Sequence, residues 1–79
     1  MISTWAALAN CESGGDPRSV SSGGTYRGLY QFTYGTWESV GGTGDPIDAS
    51  SSEQTYRAQI LYRRDGDSPW PVCGHYLYS

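Results

Sequence analysis

Lysine is absent from this chain, histidine occurs once, and no apolar run is long enough to cross a bilayer. Without lysine, five arginines face eight acids, for a formal net charge of -3. A nucleic-acid partner is therefore excluded, because phosphate neutralisation needs a basic patch. No charged leader followed by an apolar stretch opens the chain, so the signal of an exported protein would lie outside it, and the residues read as one domain of a larger protein. His75 has no companion cluster, which leaves neither a metal site nor a Ser-His-Asp arrangement and implies no cofactor. Gly23-Gly24 is not a phosphate loop, since no lysine follows and no strand precedes it.

What is present is aromatic and glycine-rich: three Trp, seven Tyr and eleven Gly in 79 residues. A chain of this length makes one domain with one small core and needs a staple. Cys11 and Cys73 lie near its opposite ends, and a bond between them would close a loop worth roughly 4 kcal/mol on the chain-entropy model. An even count without a Cys-x-x-Cys pair fits a structural disulfide and an oxidising, extracytoplasmic setting better than a metal site; the other reading is two buried free thiols. The aromatics suit a sugar-binding groove, where pyranose rings stack on faces and hydroxyls bond to polar edges, and they equally suit an economical core.

Along the chain, Ser3 or Thr4 caps a first helix in which Trp5, Leu8, Ala9 and Glu12 share a stripe, and Gly14-Gly15 ends it. Residues 15–27 read as an irregular loop or short hairpin. A second helix spans about Thr33 to Val40, ended by Gly41-Gly42. Ser50 with Glu53 makes a capping box for a third helix, whose buried stripe is Tyr56, Ile60 and Leu61 and whose end is Arg63, Arg64 and Gly66. The tail Pro69 to Gly74 is expected to lie extended over the body, and His75 to Ser79 to fray. The fold class is α+β, mainly α, with about three helices and long loops.

Glu12 is the candidate for carrying chemistry. At a helix C-terminus the macrodipole favours the protonated carboxyl, and an apolar stripe adds desolvation in the same direction. A glutamic acid raised in this way holds its proton near neutral pH and can give it to a glycosidic oxygen. The plain reading is a surface glutamate at a helix end. Asp16, Glu38, Asp45 and Asp48 remain conceivable second carboxylates, although turn or helix-surface roles fit each of them better.

Three ordered blocks now bear on the choice. Trp5 to Gly15 reads WAALANCESGG; Tyr26 to Phe32 reads YRGLYQF, with Gly35-Thr36-Trp37 after it; and Trp70 to Gly74 reads WPVCG. Together they resemble the catalytic domain of the actinobacterial resuscitation-promoting factors over residues 5–74 of a single domain, 1–79. Gly28-Leu29-Tyr30-Gln31 is similar to the Gly-Leu-x-Gln motif of soluble lytic transglycosylases. The chain departs from the resembled family at Asp16-Pro17-Arg18, where that family carries an aromatic, and like it lacks a Tyr-Asn-x-Gly motif.

The resemblance implies a lysozyme-like fold, a Cys11–Cys73 bond and Glu12 as catalytic acid. Gln31 and Thr36 are implied as polar contacts on the cleft floor, and Tyr26, Tyr30 and Trp70 are the candidate aromatic substrate contacts, with Trp70 and Trp37 fitting core and groove equally. The implied function is cleavage of the β-1,4 bond between N-acetylmuramic acid and N-acetylglucosamine in peptidoglycan, by lytic transglycosylase or lysozyme chemistry. A non-catalytic peptidoglycan-binding module is the alternative. The expected partner is the glycan strand, with no membrane insertion and a monomeric domain. Its setting is extracellular or cell-wall, or the tail protein of a phage.

Overall fold

The structure is a computed structural model and describes residues 3–78. Three α-helices form: α1 (Thr4–Ser13), α2 (Tyr34–Ser39) and α3 (Ser51–Asp65), with 3-10 turns at Pro46–Asp48 and Gly74–Tyr78. Among the described residues the β component is limited to isolated antiparallel bridges, Val20 with Arg27 and Arg27 with Phe32. The mainly-α fold class and the disulfide, Cys11 to Cys73 with Cα atoms 5.9 Å apart, are as expected from sequence.

Local chemistry sets the helix ends. Ser3, Thr33 and Ser50 each accept a backbone N–H from the first turn of the helix that follows, satisfying donors that the helix cannot. Gly14, at φ 67°, ends α1: its N–H donates to the Asn10 carbonyl at 2.9 Å and the Gly15 N–H to the Ala9 carbonyl at 3.3 Å. The capping box of α3 is half made. Ser50 Oγ accepts the Glu53 N–H, but the Glu53 carboxylate turns forward to Arg57 at 2.6 Å, its partner one helical turn on.

The core gathers Leu8 and Ala9 of α1, Leu29, Tyr30 and Phe32 of the central turn, Trp37 and Val40, Ala58 and Leu61 of α3, and Trp70 and Cys73 of the tail. Trp5 meets Tyr30, Tyr62 and Trp70 edge to face, at centroid distances of 5.9, 5.8 and 5.9 Å, a geometry that the ring quadrupoles favour. The Trp37 indole donates to the Thr43 carbonyl at 3.1 Å and lies so close to Gly42 that a Cβ there would enter its ring.

Two sequence expectations need correction. In α3 the buried face is Gln54, Ala58 and Leu61, with Ile60 partly buried, while Tyr56 is 51% exposed. Packing selects positions i, i+4 and i+7 even though one is polar and another small; counting only large apolar residues turned the face toward Tyr56. The tail is not extended. Trp70 N–H bonds to Asp67, Gly74 N–H to Trp70 and Tyr76 N–H to Cys73, so it coils into turns and the Gly74–Tyr78 3-10 segment, which packs on α1. Leu77 packs against the core, so residues 75–78 form an ordered segment; Ser79 lies outside the described residues.

Candidate active site

Glu12 sits in the last turn of α1, partly buried. It lines a groove of about 340 Å3 with Cys11, Tyr26, Gln31, Pro69, Pro71, Val72 and Cys73. Desolvation pushes its pKa above the usual carboxylate value. The disulfide joins the helix that carries Glu12 to the tail, making the tail one wall of the groove. Val72, 78% exposed, stands on that wall.

The opposite wall comes from the central turn. Tyr26, 49% exposed, and Gln31 line both this groove and an adjoining recess of about 100 Å3 that also includes Thr33, Thr36 and Pro69. Gln31 has φ 55°, a left-handed conformation that costs an L-residue about 1–2 kcal/mol. Its side-chain amide donates to the Gly28 carbonyl at 2.9 Å, and the local bond holds the turn closed. Thr36, in the first turn of α2, accepts the Thr33 hydroxyl at 2.9 Å. Sequence-based candidates Glu12, Tyr26 and Gln31 therefore share one groove, and Thr36 lies in its extension.

Tyr30 and Trp70 border that recess only from beneath. Each is 3% exposed. The Tyr30 hydroxyl bonds to Thr55 at 2.8 Å and the Trp70 indole donates to the Tyr30 carbonyl at 3.1 Å. Both are core residues that support the floor, and Tyr26 is the exposed aromatic of the groove. Trp37, 1% exposed, is likewise core.

Among the described residues lining the groove, Glu12 is the one carboxylate. The other candidate acids lie outside that lining. Asp45 takes a two-pronged bond from Arg27 at 2.8 and 2.7 Å, a third from the Tyr34 hydroxyl at 3.0 Å and a fourth from the Ile47 N–H. The guanidinium first, and then these donors, bring its pKa down to about 2, so it stays ionised and structural. Asp16 accepts the Arg18 N–H in a local turn, Asp48 lies 3.8 Å from Arg18, and Glu38 is exposed. His75 bonds through Nδ1 to the Val72 carbonyl and stacks on Tyr76. Among the described residues no group of His, Cys, Asp and Glu could hold a metal ion.

Sequence reasoning missed Pro69, Pro71 and Val72 as groove residues. The available signal was Cys73: a bond to Cys11 must bring its neighbours alongside Glu12. It also missed Gln54, which has 0% exposure and bonds to three separate segments. Nothing local distinguishes that glutamine from a surface one.

Comparison with known proteins matches these features. The family model of the transglycosylase-like domain covers residues 1–73. The chain is 46% identical over 70 residues to resuscitation-promoting factor RpfE of Mycobacterium tuberculosis, covering 89% of this chain and 40% of that protein. It is 42% identical over 76 residues to resuscitation-promoting factor Rpf of Micrococcus luteus, covering 96% and 34% respectively. It is 41% identical over 70 residues to RpfC of M. tuberculosis, covering 89% and 49%. The chain thus spans less than half the length of these relatives. None of the three is a phage protein, so the phage-tail expectation finds no support among them. The resemblance carried by the three sequence blocks holds across almost the whole chain, and the protein belongs to the transglycosylase-like domain family.

Proposed function

We propose that this domain cleaves the glycan strands of peptidoglycan between N-acetylmuramic acid and N-acetylglucosamine, with Glu12 as general acid. The observation that carries the reading is Glu12 itself: a half-buried carboxyl with a raised pKa, the one carboxyl among the described residues lining a groove walled by an exposed tyrosine and a glutamine amide. Family membership supports the reaction class, and the relatives bear the name resuscitation-promoting factor.

A groove with one carboxyl suits a mechanism in which the substrate supplies what a second carboxylate would supply in an ordinary glycosidase. Glu12 gives its proton to the glycosidic oxygen as the bond to C1 of the muramic acid breaks, so N-acetylglucosamine leaves with a free 4-hydroxyl. The acetamido group of the muramic acid stabilises the oxocarbenium-like centre. Glu12, now a carboxylate, takes the proton of the C6 hydroxyl as that oxygen bonds to C1, closing a 1,6-anhydro ring and restoring the acid. Attack by water in place of the C6 hydroxyl gives a lysozyme outcome. Tyr26 offers a face to a sugar ring, and Gln31, whose amide nitrogen is held by Gly28, offers its carbonyl oxygen to a hydroxyl or amide.

Mass spectrometry of fragments released from purified peptidoglycan by the wild type and by Glu12→Gln tests this. Wild-type release that Glu12→Gln loses by about 100-fold or more supports it, with anhydro ends marking the transglycosylase and reducing ends the lysozyme. A folded wild type that binds peptidoglycan but releases nothing makes the domain a binding module.

A further inference from the structure

Gln54 is fully buried and polar, and two of the three groups its side chain touches lie 25 and 37 residues away along the chain. Its Oε1 accepts the Leu29 N–H at 2.8 Å, and its Nε2 donates at 3.0 Å to both the Pro17 and the Ala49 carbonyls. Both donors and the acceptor are thus used, and a neutral amide suits the place because it carries two N–H donors beside a carbonyl acceptor. Pro17 lies in the loop leaving Glu12. Leu29 lies in the turn carrying Gln31. Ala49 lies just before the cap of α3.

The contact at Gly28 is tight enough to dictate its residue type. With φ at 86°, Gly28 has no room for a Cβ, which would run into Gln54 Oε1. The Gly28 carbonyl in turn receives the Gln31 side-chain amide at 2.9 Å and the Gln31 backbone N–H at 3.3 Å. A continuous path of bonds therefore runs from α3 through the Gly28-Leu29 backbone to a strained residue in the groove. A second arm of the same amide holds the loop after Glu12.

From this path we infer that Gln54 is a positioning residue: it sets the separation of the two groove walls, holding the left-handed turn that presents Gln31 against the helix terminus that presents Glu12. The catalytic consequence rests on the reaction proposed above; the geometric consequence does not. Gln54 touches no groove volume and acts only through the segments it joins.

The test compares the full chain with Gln54→Met, which keeps the length and loses all three bonds, and with Gln54→Glu. Proton–nitrogen NMR reads the Gln31 side-chain amide, and steady-state fragment release reads the reaction. Expected for folded Gln54→Met is a displaced Gln31 amide signal and a kcat about 10- to 100-fold lower, with KM altered by less than about threefold, since misplacing a group acts mainly on the transition state. Gln54→Glu should approach the wild-type rate, compared at each pH, as pH falls, because a protonated carboxyl restores one donor beside the acceptor. A folded Gln54→Met with wild-type kcat, or with its Gln31 amide unmoved, overturns the inference. If Gln54→Met does not fold, Gln54→Glu decides, and a deficit independent of pH counts against the inference. A wild type that releases no fragments sinks the proposed reaction alone, and the position of the Gln31 amide then decides the role of Gln54.

Discussion

Two acids in this chain are driven in opposite directions by their surroundings, and each shift has a sign that can be checked. Burial raises the pKa of Glu12 above its ordinary 4.5. Its proton is therefore retained to higher pH than on an ordinary glutamate, and general-acid activity falls as pH rises through the raised value. The same burial destabilises the charged form. The stabilising contribution is present below the unfolded pKa and lost as pH rises through the folded one, so Glu12→Gln should have a Tm equal to or above that of the wild type at neutral pH and none of the advantage near pH 4. A Tm series for both proteins checks this. Asp45 behaves in the reverse sense. With its pKa down from 3.8 to about 2, its contribution is present above the unfolded value and lost as pH falls toward 2. Asp45→Ala leaves Arg27, with a side chain 16% exposed, and the Tyr34 hydroxyl without their shared acceptor. The expected loss is on the order of 2–3 kcal/mol, read from urea midpoints.

At the scale of elements, caps and close approaches carry most of the specification. Ser50→Ala removes the oxygen that accepts the Glu53 N–H and should cost about 1 kcal/mol, measurable as a shifted denaturation midpoint at unchanged m-value. The segment after α2 depends on a different kind of contact. Gly42 lies against the Trp37 indole with no space for a methyl group, and its backbone N–H bonds to the Trp37 carbonyl at 2.8 Å. Gly42→Ala should therefore cost about 1–3 kcal/mol through overpacking, with a disturbed near-UV signal from the displaced indole. The three helices could be read from sequence to within a residue or two because caps and glycine stops are local signals: Ser3, Thr33, Ser50, Gly14 and Gly66 act on backbone groups a few residues away. The buried face of α3 could not, because whether Gln54 or Tyr56 turns inward depends on what Pro17, Leu29 and Ala49 offer to it.

For the molecule as a whole, one covalent tie spans 62 residues and closes a loop worth about 4 kcal/mol on the chain-entropy model. Reduction should lower the Tm steeply and open the groove, since the wall formed by Pro69, Pro71 and Val72 is held beside Glu12 through Cys73. Calorimetry with and without a phosphine reductant, alongside fragment release, checks both effects, and loss of the wall predicts that activity falls before the helical signal does.

The sequence alone determined where the helices begin and end, that Glu12 would sit at a helix terminus, and which family the chain would join. Those features depend on neighbours within a few residues or on residue identities in fixed order. Only the tertiary structure decided that Tyr30 and Trp70 underlie the groove, that Asp45 is spent on Arg27, and that Gln54 ties three loops together. Their defining bonds join residues 40, 18 and 37 positions apart. Partners so distant become neighbours only through collapse of the shared core, and until then a buried amide and an exposed one are written with the same letter.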